Sequence, residues 1–301
     1  MSQSAPSLQA NWDWRAAGNS IGGGTGAGLL LAAAIAWLDG FPYWPLGLIA
    51  LTCIGLGLVC VWAKIGRPWR ALYKFFHRRT SWMTWEVLIS LPLFGAAISA
   101  VALDFLSSST DYEVPVLIWI SALSAAAYLS CQARILRQSK DIPVCRHPSL
   151  IPVMVMTGLC EGFAVLAIFA LFIEGPNPWI STLLSLFLIF RAIAWFNYYY
   201  EMRKSGAPEK AIAVLKELNL IMLSAGIGLA LFLALIGVFI NEFNNEFGAA
   251  AGLVSLLSGW YLKFSIIARA SYNQGVPLAD PPLRGATDIE PGSTKPGSDE
   301  P

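Results

Sequence analysis

Along almost the whole chain, long apolar runs alternate with short polar connections. Scored for continuous apolar stretches, the pattern predicts eight helices, at about 20–38, 45–63, 85–106, 115–136, 149–173, 179–200, 211–240 and 248–270. At ~1.5 Å rise per residue each can cross a hydrocarbon core of ~30 Å. The seventh run has length to spare for tilting or protruding. The expected fold class is an all-α integral membrane protein with eight transmembrane helices in two four-helix halves. The expected layout is a polar lead over 1–19, a membrane domain over 20–270 and a tail over 271–301 rich in Pro, Gly and acid. Such a tail buries too little apolar surface to fold and reads as disordered.

Composition sharpens the class. The 301 residues are 56% hydrophobic and only 13% charged, with a mean hydropathy of +0.58. Soluble domains carry nearer ~25% charged residues. The few cations are unevenly placed. Segment 64–84 is strongly basic, the connection 134–147 holds Arg134, Arg137, Lys140 and Arg146, and the one near 201–210 holds Arg203, Lys204 and Lys210. The intervening loops DGFPYW, SSSTDYE, IEGPNP and NEFNNEF carry acids and neither Lys nor Arg. This bias predicts that both termini lie on the cytoplasmic side.

Candidate chemistry is sparse. The five cysteines, Cys53, Cys60, Cys131, Cys145 and Cys160, form no CxxC pair, and four of them sit inside apolar runs. They read as buried thiols rather than metal ligands. His77 and His147 are the only histidines, too few to hold haem within a bundle, so no haem or metal is expected in this chain. GGGTGA at 22–27 matches a dinucleotide-binding pattern by spacing but follows no strand, and its glycines suit close helix approach or a flat ligand instead. Charged residues inside spans are costly and therefore functional candidates. Glu161 and Arg191 each fall about twelve residues into antiparallel helices, so an intramembrane ion pair between them is expected, as a helix pin or a proton relay. Glu86 is expected to open the third helix, with Lys263 near the same level on the eighth. Asp104 is expected at the interface.

The segment KIGRPWRALYKFFHRRTSWMTWE, 64–86, packs six cations, from Lys64 to Arg79, among Trp69, Tyr73, Phe75 and Phe76. It resembles a motif of the membrane-anchor subunits of dimethyl sulfoxide reductase type, in the wider NrfD-like group. That motif reads His-x-Gly-x-Pro, an Arg, then Ser-Trp-x-(Ser/Thr)-Arg-Glu. Gly66, Pro68 and Arg70 match its first part, and Thr80, Ser81, Trp82, Met83, Thr84 and Glu86 its second. Lys64 stands where many relatives have His, and Trp85 where they have Arg. A Lys is a poor reversible base at neutral pH, which is more consistent with a branch that delivers electrons to quinone. The sequence is similar in this to membrane subunits of phenylacetyl-CoA:acceptor oxidoreductases.

The resemblance implies a bacterial inner-membrane complex of three parts: a molybdopterin catalytic subunit, an iron–sulfur subunit and this anchor, exchanging electrons with a transiently bound quinone. Lys64, Arg70, Trp82 and Glu86 would border the quinone or relay its protons. Arg67, Arg78 and Arg79 would dock the iron–sulfur partner. The other partner expected is membrane lipid, and no nucleic acid. Two alternatives stay open, a secondary transporter using Glu161 and Arg191, and a structural anchor without quinone chemistry.

Overall fold

A computed structural model describes residues 7–9, 12–65, 82–106, 113–139, 141–173 and 175–273. Among these the secondary structure is helical, apart from one isolated antiparallel bridge between Leu8 and Tyr272. The helices are α1 (Trp14–Leu38), α2 (Tyr43–Ile65), α3 (Trp82–Phe105), α4 (Glu113–Arg137), the short α5 (Pro143–Arg146), α6 (Leu150–Phe169), α7 (Pro178–Lys204), α8 (Glu209–Ile221), α9 (Ala230–Phe239) and α10 (Asn244–Phe264). A wide π-helical stretch, Met222–Leu229, joins α8 and α9 into one span, and another, Ser265–Arg269, extends α10. Eight of the resulting spans are long and apolar enough to cross a membrane. The chain is a multi-pass, all-α membrane protein.

The eight spans form two rings of four. In the first, α1, α2, α3 and α4 touch in sequence, and α1 closes on α4. In the second, α6, α7, the α8–α9 span and α10 close in the same way. The rings join where α1 packs on α6 and α10 and α4 packs on α6. Accordingly α1 is the most enclosed span and α3 the most exposed.

Small residues make the central position of α1 possible. A side chain at Gly28 would overlap the Gly158 carbonyl of α6, and one at Gly162 would overlap Gly28. Gly22 and Gly26 face the backbone of α2 at Cys53 and Ala50 just as closely. Since lipid tails are as apolar as Leu, helix association in a membrane depends on such close backbone contact. The GGGTGA stretch is therefore helix-packing sequence.

Two boundaries differ from the expected ones. The first helix starts at Trp14, not near residue 20, because Asp13 caps it. The Asp13 carboxylate accepts from the N–H of Arg15 at 3.1 Å and of Ala16 at 3.4 Å, satisfying donors that a polar first turn would otherwise leave free. At the other end, residues 271–273 are not free tail: Gln9 N–H donates to Ser271 O at 3.0 Å and Asn273 N–H to Ser7 O at 3.1 Å. The remainder of the expected tail lies outside the described residues. Asp104 does more than sit at an interface, since its Oδ2 accepts from the N–H of Trp44 at 2.9 Å and so caps α2 from α3.

Candidate functional site

A cavity of about 480 Å³ opens at the end of the bundle where the basic connections lie. Its walls come from the start of α1 (Asn19, Ser20), the end of α2 (Val61), the start of α3 (Met83, Glu86) and the end of α4 (Gln132, Leu136). The size lies within the ~300–1,000 Å³ typical of small-molecule sites, and the lining is mainly apolar with a few polar groups, as such sites are.

Those polar groups form a connected set. Gln132, only 7% exposed, donates from Nε2 to the Asn19 carbonyl at 3.3 Å and to the Tyr128 hydroxyl at 3.3 Å. The Tyr128 hydroxyl also interacts electrostatically with the Glu86 carboxyl of α3. The Oε1 of Gln132 and the Oδ1 of Asn19 are buried without a hydrogen-bond partner among the described residues. A buried amide oxygen left without a donor costs roughly 1–3 kcal/mol, so the cavity wall favours a ligand that donates to it. Gln132 fits against α1 only because residue 23 is glycine; any side chain there would overlap the amide.

Glu86 lines this cavity but does not open α3. The described part of the helix begins at Trp82 with no acid in its first turn, so Glu86 sits at least one turn deeper than an end-capping acid would. Trp82 faces an adjoining groove rather than the same slot. There the Arg134 guanidinium lies 4.4 Å from the ring centroid, and Gln138 lines both the groove and the cavity. The side chain of Lys64, and Arg67, Arg70, Arg78 and Arg79 altogether, lie outside the described residues. Asn19, Tyr128 and Gln132 were not singled out from sequence, although each is a polar group within or at the edge of an apolar run.

The intramembrane ion pair is not the expected one. Glu161 pairs with Lys263 of α10, Nζ to Oε2 at 2.6 Å, and Thr25 Oγ1 donates to the same oxygen at 2.8 Å. Trp260 Nε1 donates to Thr25 at 3.0 Å, so α1, α6 and α10 share one buried network. Arg191 is held instead by Ser255 (3.2 Å to the carbonyl, 3.3 Å to Oγ), by Ser258 Oγ at 3.0 Å and by Met222 Sδ at 3.4 Å.

The reason is rotational. Successive helix residues differ by ~100° around the axis. Glu161 is turned toward α1 and α10, where Thr25 and Lys263 hold it, while Arg191 is held by Ser255 and Ser258 of α10 and by Met222. Lys263 comes within reach because helix side chains lean toward the N-terminus of their own helix, here deeper into the bundle.

No family model matches the chain, and no curated protein matches it significantly. The bundle and cavity define the class, a multi-pass helical membrane protein with a partly polar pocket at its basic end.

Proposed function

We propose that the chain is the membrane anchor and quinone-reactive subunit of a molybdopterin/iron–sulfur oxidoreductase. It would pass electrons between a partner's iron–sulfur clusters and the quinone pool, with phenylacetyl-CoA oxidation to phenylglyoxylate as the best-matching overall reaction. The setting proposed is a bacterial inner membrane with both termini cytoplasmic.

The observation that carries this reading is the cavity at Glu86, the last residue of the 64–86 motif. A quinone ring needs a flat apolar slot with a few polar groups at its two oxygens. The unpartnered oxygens of Gln132 and Asn19 are suited to accept from hydroxyls of the reduced ring. Glu86, on the wall of the cavity, supplies a carboxylate for proton exchange. The basic, aromatic segment before it offers charge complementary to an electron-transfer partner. The iron–sulfur clusters and molybdopterin belong to the partner subunits.

The test is Glu86→Gln, which keeps the shape and removes the titrating group. Complex assembly and activity with an artificial dye should persist, while quinone-coupled turnover falls by roughly ten- to a thousandfold. Parental quinone-coupled turnover from about pH 6 to 9 would leave an anchor without quinone chemistry at this residue. A transporter is the second reading, favoured by the unpartnered, buried Glu161 Oε1 and Thr157 Oγ1 beside the Lys263 pair. It requires solute flux in vesicles that Glu161→Gln abolishes and Glu86→Gln spares.

A further inference from the structure

Beside the cavity, a separate groove of about 530 Å³ runs between the ends of α3, α4 and α6. It is lined by Trp82, Arg134, Arg137, Gln138 and Ile151. Arg134 and Arg137 are exposed, and neither forms an ion pair among the described residues. Two other arginines near this end are matched with acids: Arg15 Nη2 lies 2.7 Å from Asp13 and Arg269 Nη2 2.9 Å from Glu217. The central carbon of the Arg134 guanidinium lies 4.4 Å over the Trp82 ring, a contact that takes up no acid and leaves N–H donors for an oxyanion.

What could bring that anion is indicated by α4 itself. Val116, Ile120 and Leu123 are 56%, 41% and 69% exposed and mark the face that this helix turns to lipid. Continued at alternating steps of three and four, the same stripe passes Ala127 and Ser130, both half-buried, and reaches Arg134 and Arg137. Arg134 lies ~16 Å along the axis from Leu123. One helix face thus presents an apolar track that ends in two unpaired guanidinium groups and an interfacial Trp. An acyl chain and a charged headgroup have this order and this scale.

We infer that the groove binds the phosphate headgroup of an anionic phospholipid from the surrounding bilayer, with its acyl chain along the exposed stripe of α4. Arg134 and Arg137 bind the phosphate oxygens. Trp82 holds the Arg134 plane and sits at headgroup level, where amphipathic rings are favoured. Basic recesses between helices at a membrane surface hold acidic headgroups by the same combination of charge and shape. The inference does not depend on quinone chemistry in the neighbouring cavity.

The experiment uses the full chain, purified in detergent, stripped of lipid and followed by its thermal unfolding midpoint. It is titrated separately with phosphatidylglycerol, phosphatidylcholine and inorganic phosphate. Phosphatidylglycerol should raise the midpoint at concentrations where the other two do not. Arg134→Gln with Arg137→Gln should weaken the half-saturating concentration by roughly thirtyfold, the effect of losing two cations near a headgroup. Arg203→Gln with Lys204→Gln removes the same charge from the same end and should leave the response intact. An equal response to phosphatidylcholine, or an unchanged response in the Arg134/Arg137 variant, overturns the site. A response to inorganic phosphate that matches phosphatidylglycerol assigns the groove to a soluble anion and overturns the lipid assignment. Should the double variant not fold, native mass spectrometry of the parental chain from membranes containing both lipids decides. Preferential retention of phosphatidylglycerol supports the site, and equal retention overturns it.

Discussion

Lys263 Nζ lies 2.6 Å from Glu161 Oε2, and the two side chains are 1% and 0% exposed. This pair joins α10 to α6 in the part of the bundle where α1 packs against both. Glycines make the space. A side chain at Gly24 would overlap the Lys263 amine, and one at Gly259 would crowd the Glu161 carboxylate. Thr25 and Trp260 complete the hydrogen bonding from α1 and α10.

Breaking one side of the pair leaves a charge buried without its partner, which costs about 3–5 kcal/mol. Glu161→Gln and Lys263→Met should each lower stability by that order when unfolding is followed in lipid-like micelles. The double variant should recover most of the loss, because no lone charge remains. Additive losses in the double variant would show that the two residues act separately.

The α1–α6 contact gives a second expected outcome. Gly28→Val forces a branched side chain into the Gly158 carbonyl, and α1 must move away from α6 to admit it. A loss of several kcal/mol, or failure to accumulate in the membrane, is expected. Gly55 of α2 has nothing within 4 Å of where a side chain would start. Gly55→Ala should therefore be neutral or stabilise by up to ~1 kcal/mol through helix propensity. Comparable loss in both variants would refute the packing role assigned to Gly28.

The cap of α1 has a defined pH dependence. Chiefly through its hydrogen bond with the Arg15 side chain, Nε to Oδ2 at 2.7 Å, the Asp13 carboxyl is held below its ordinary value of 3.8. A carboxyl with a lowered folded value binds its proton less readily in the folded state. Its contribution is therefore complete above the ordinary value and is lost as pH falls through the lowered one. Amide exchange in the first turn of α1, corrected for the intrinsic rate, should be flat from about pH 5 to 7 and accelerate below about pH 4. Asp13→Ala should show the faster exchange at every pH, and a parental profile with no acid limb would remove Asp13 from the cap.

Much of the spatial plan was legible in the chain. Apolar runs longer than ~20 residues report their own spans because, in hydrocarbon, backbone groups must be paired within the segment. Glu86 could likewise be placed near the basic end of a span, since it follows the basic segment directly. The first turn of α1 was hidden because its residues are polar, and only Asp13 as a cap marks it.

Depth can be counted from a sequence, one residue at a time, and so the level of Glu161 and Arg191 was available. Rotation about each helix axis cannot be counted in that way, since it depends on which glycines meet which neighbouring backbone. Gly28 against Gly158 and Gly162 sets how α1 lies on α6, and Glu161 faces Thr25 and Lys263 rather than Arg191. That orientation selected Lys263 as the partner of Glu161. The same is true of the cavity, whose lining brings together Asn19, Glu86 and Gln132 from three different helices. Spans were set by local hydrophobicity; partners were set by packing, because contacts between helices far apart in sequence exist only once the two rings have closed.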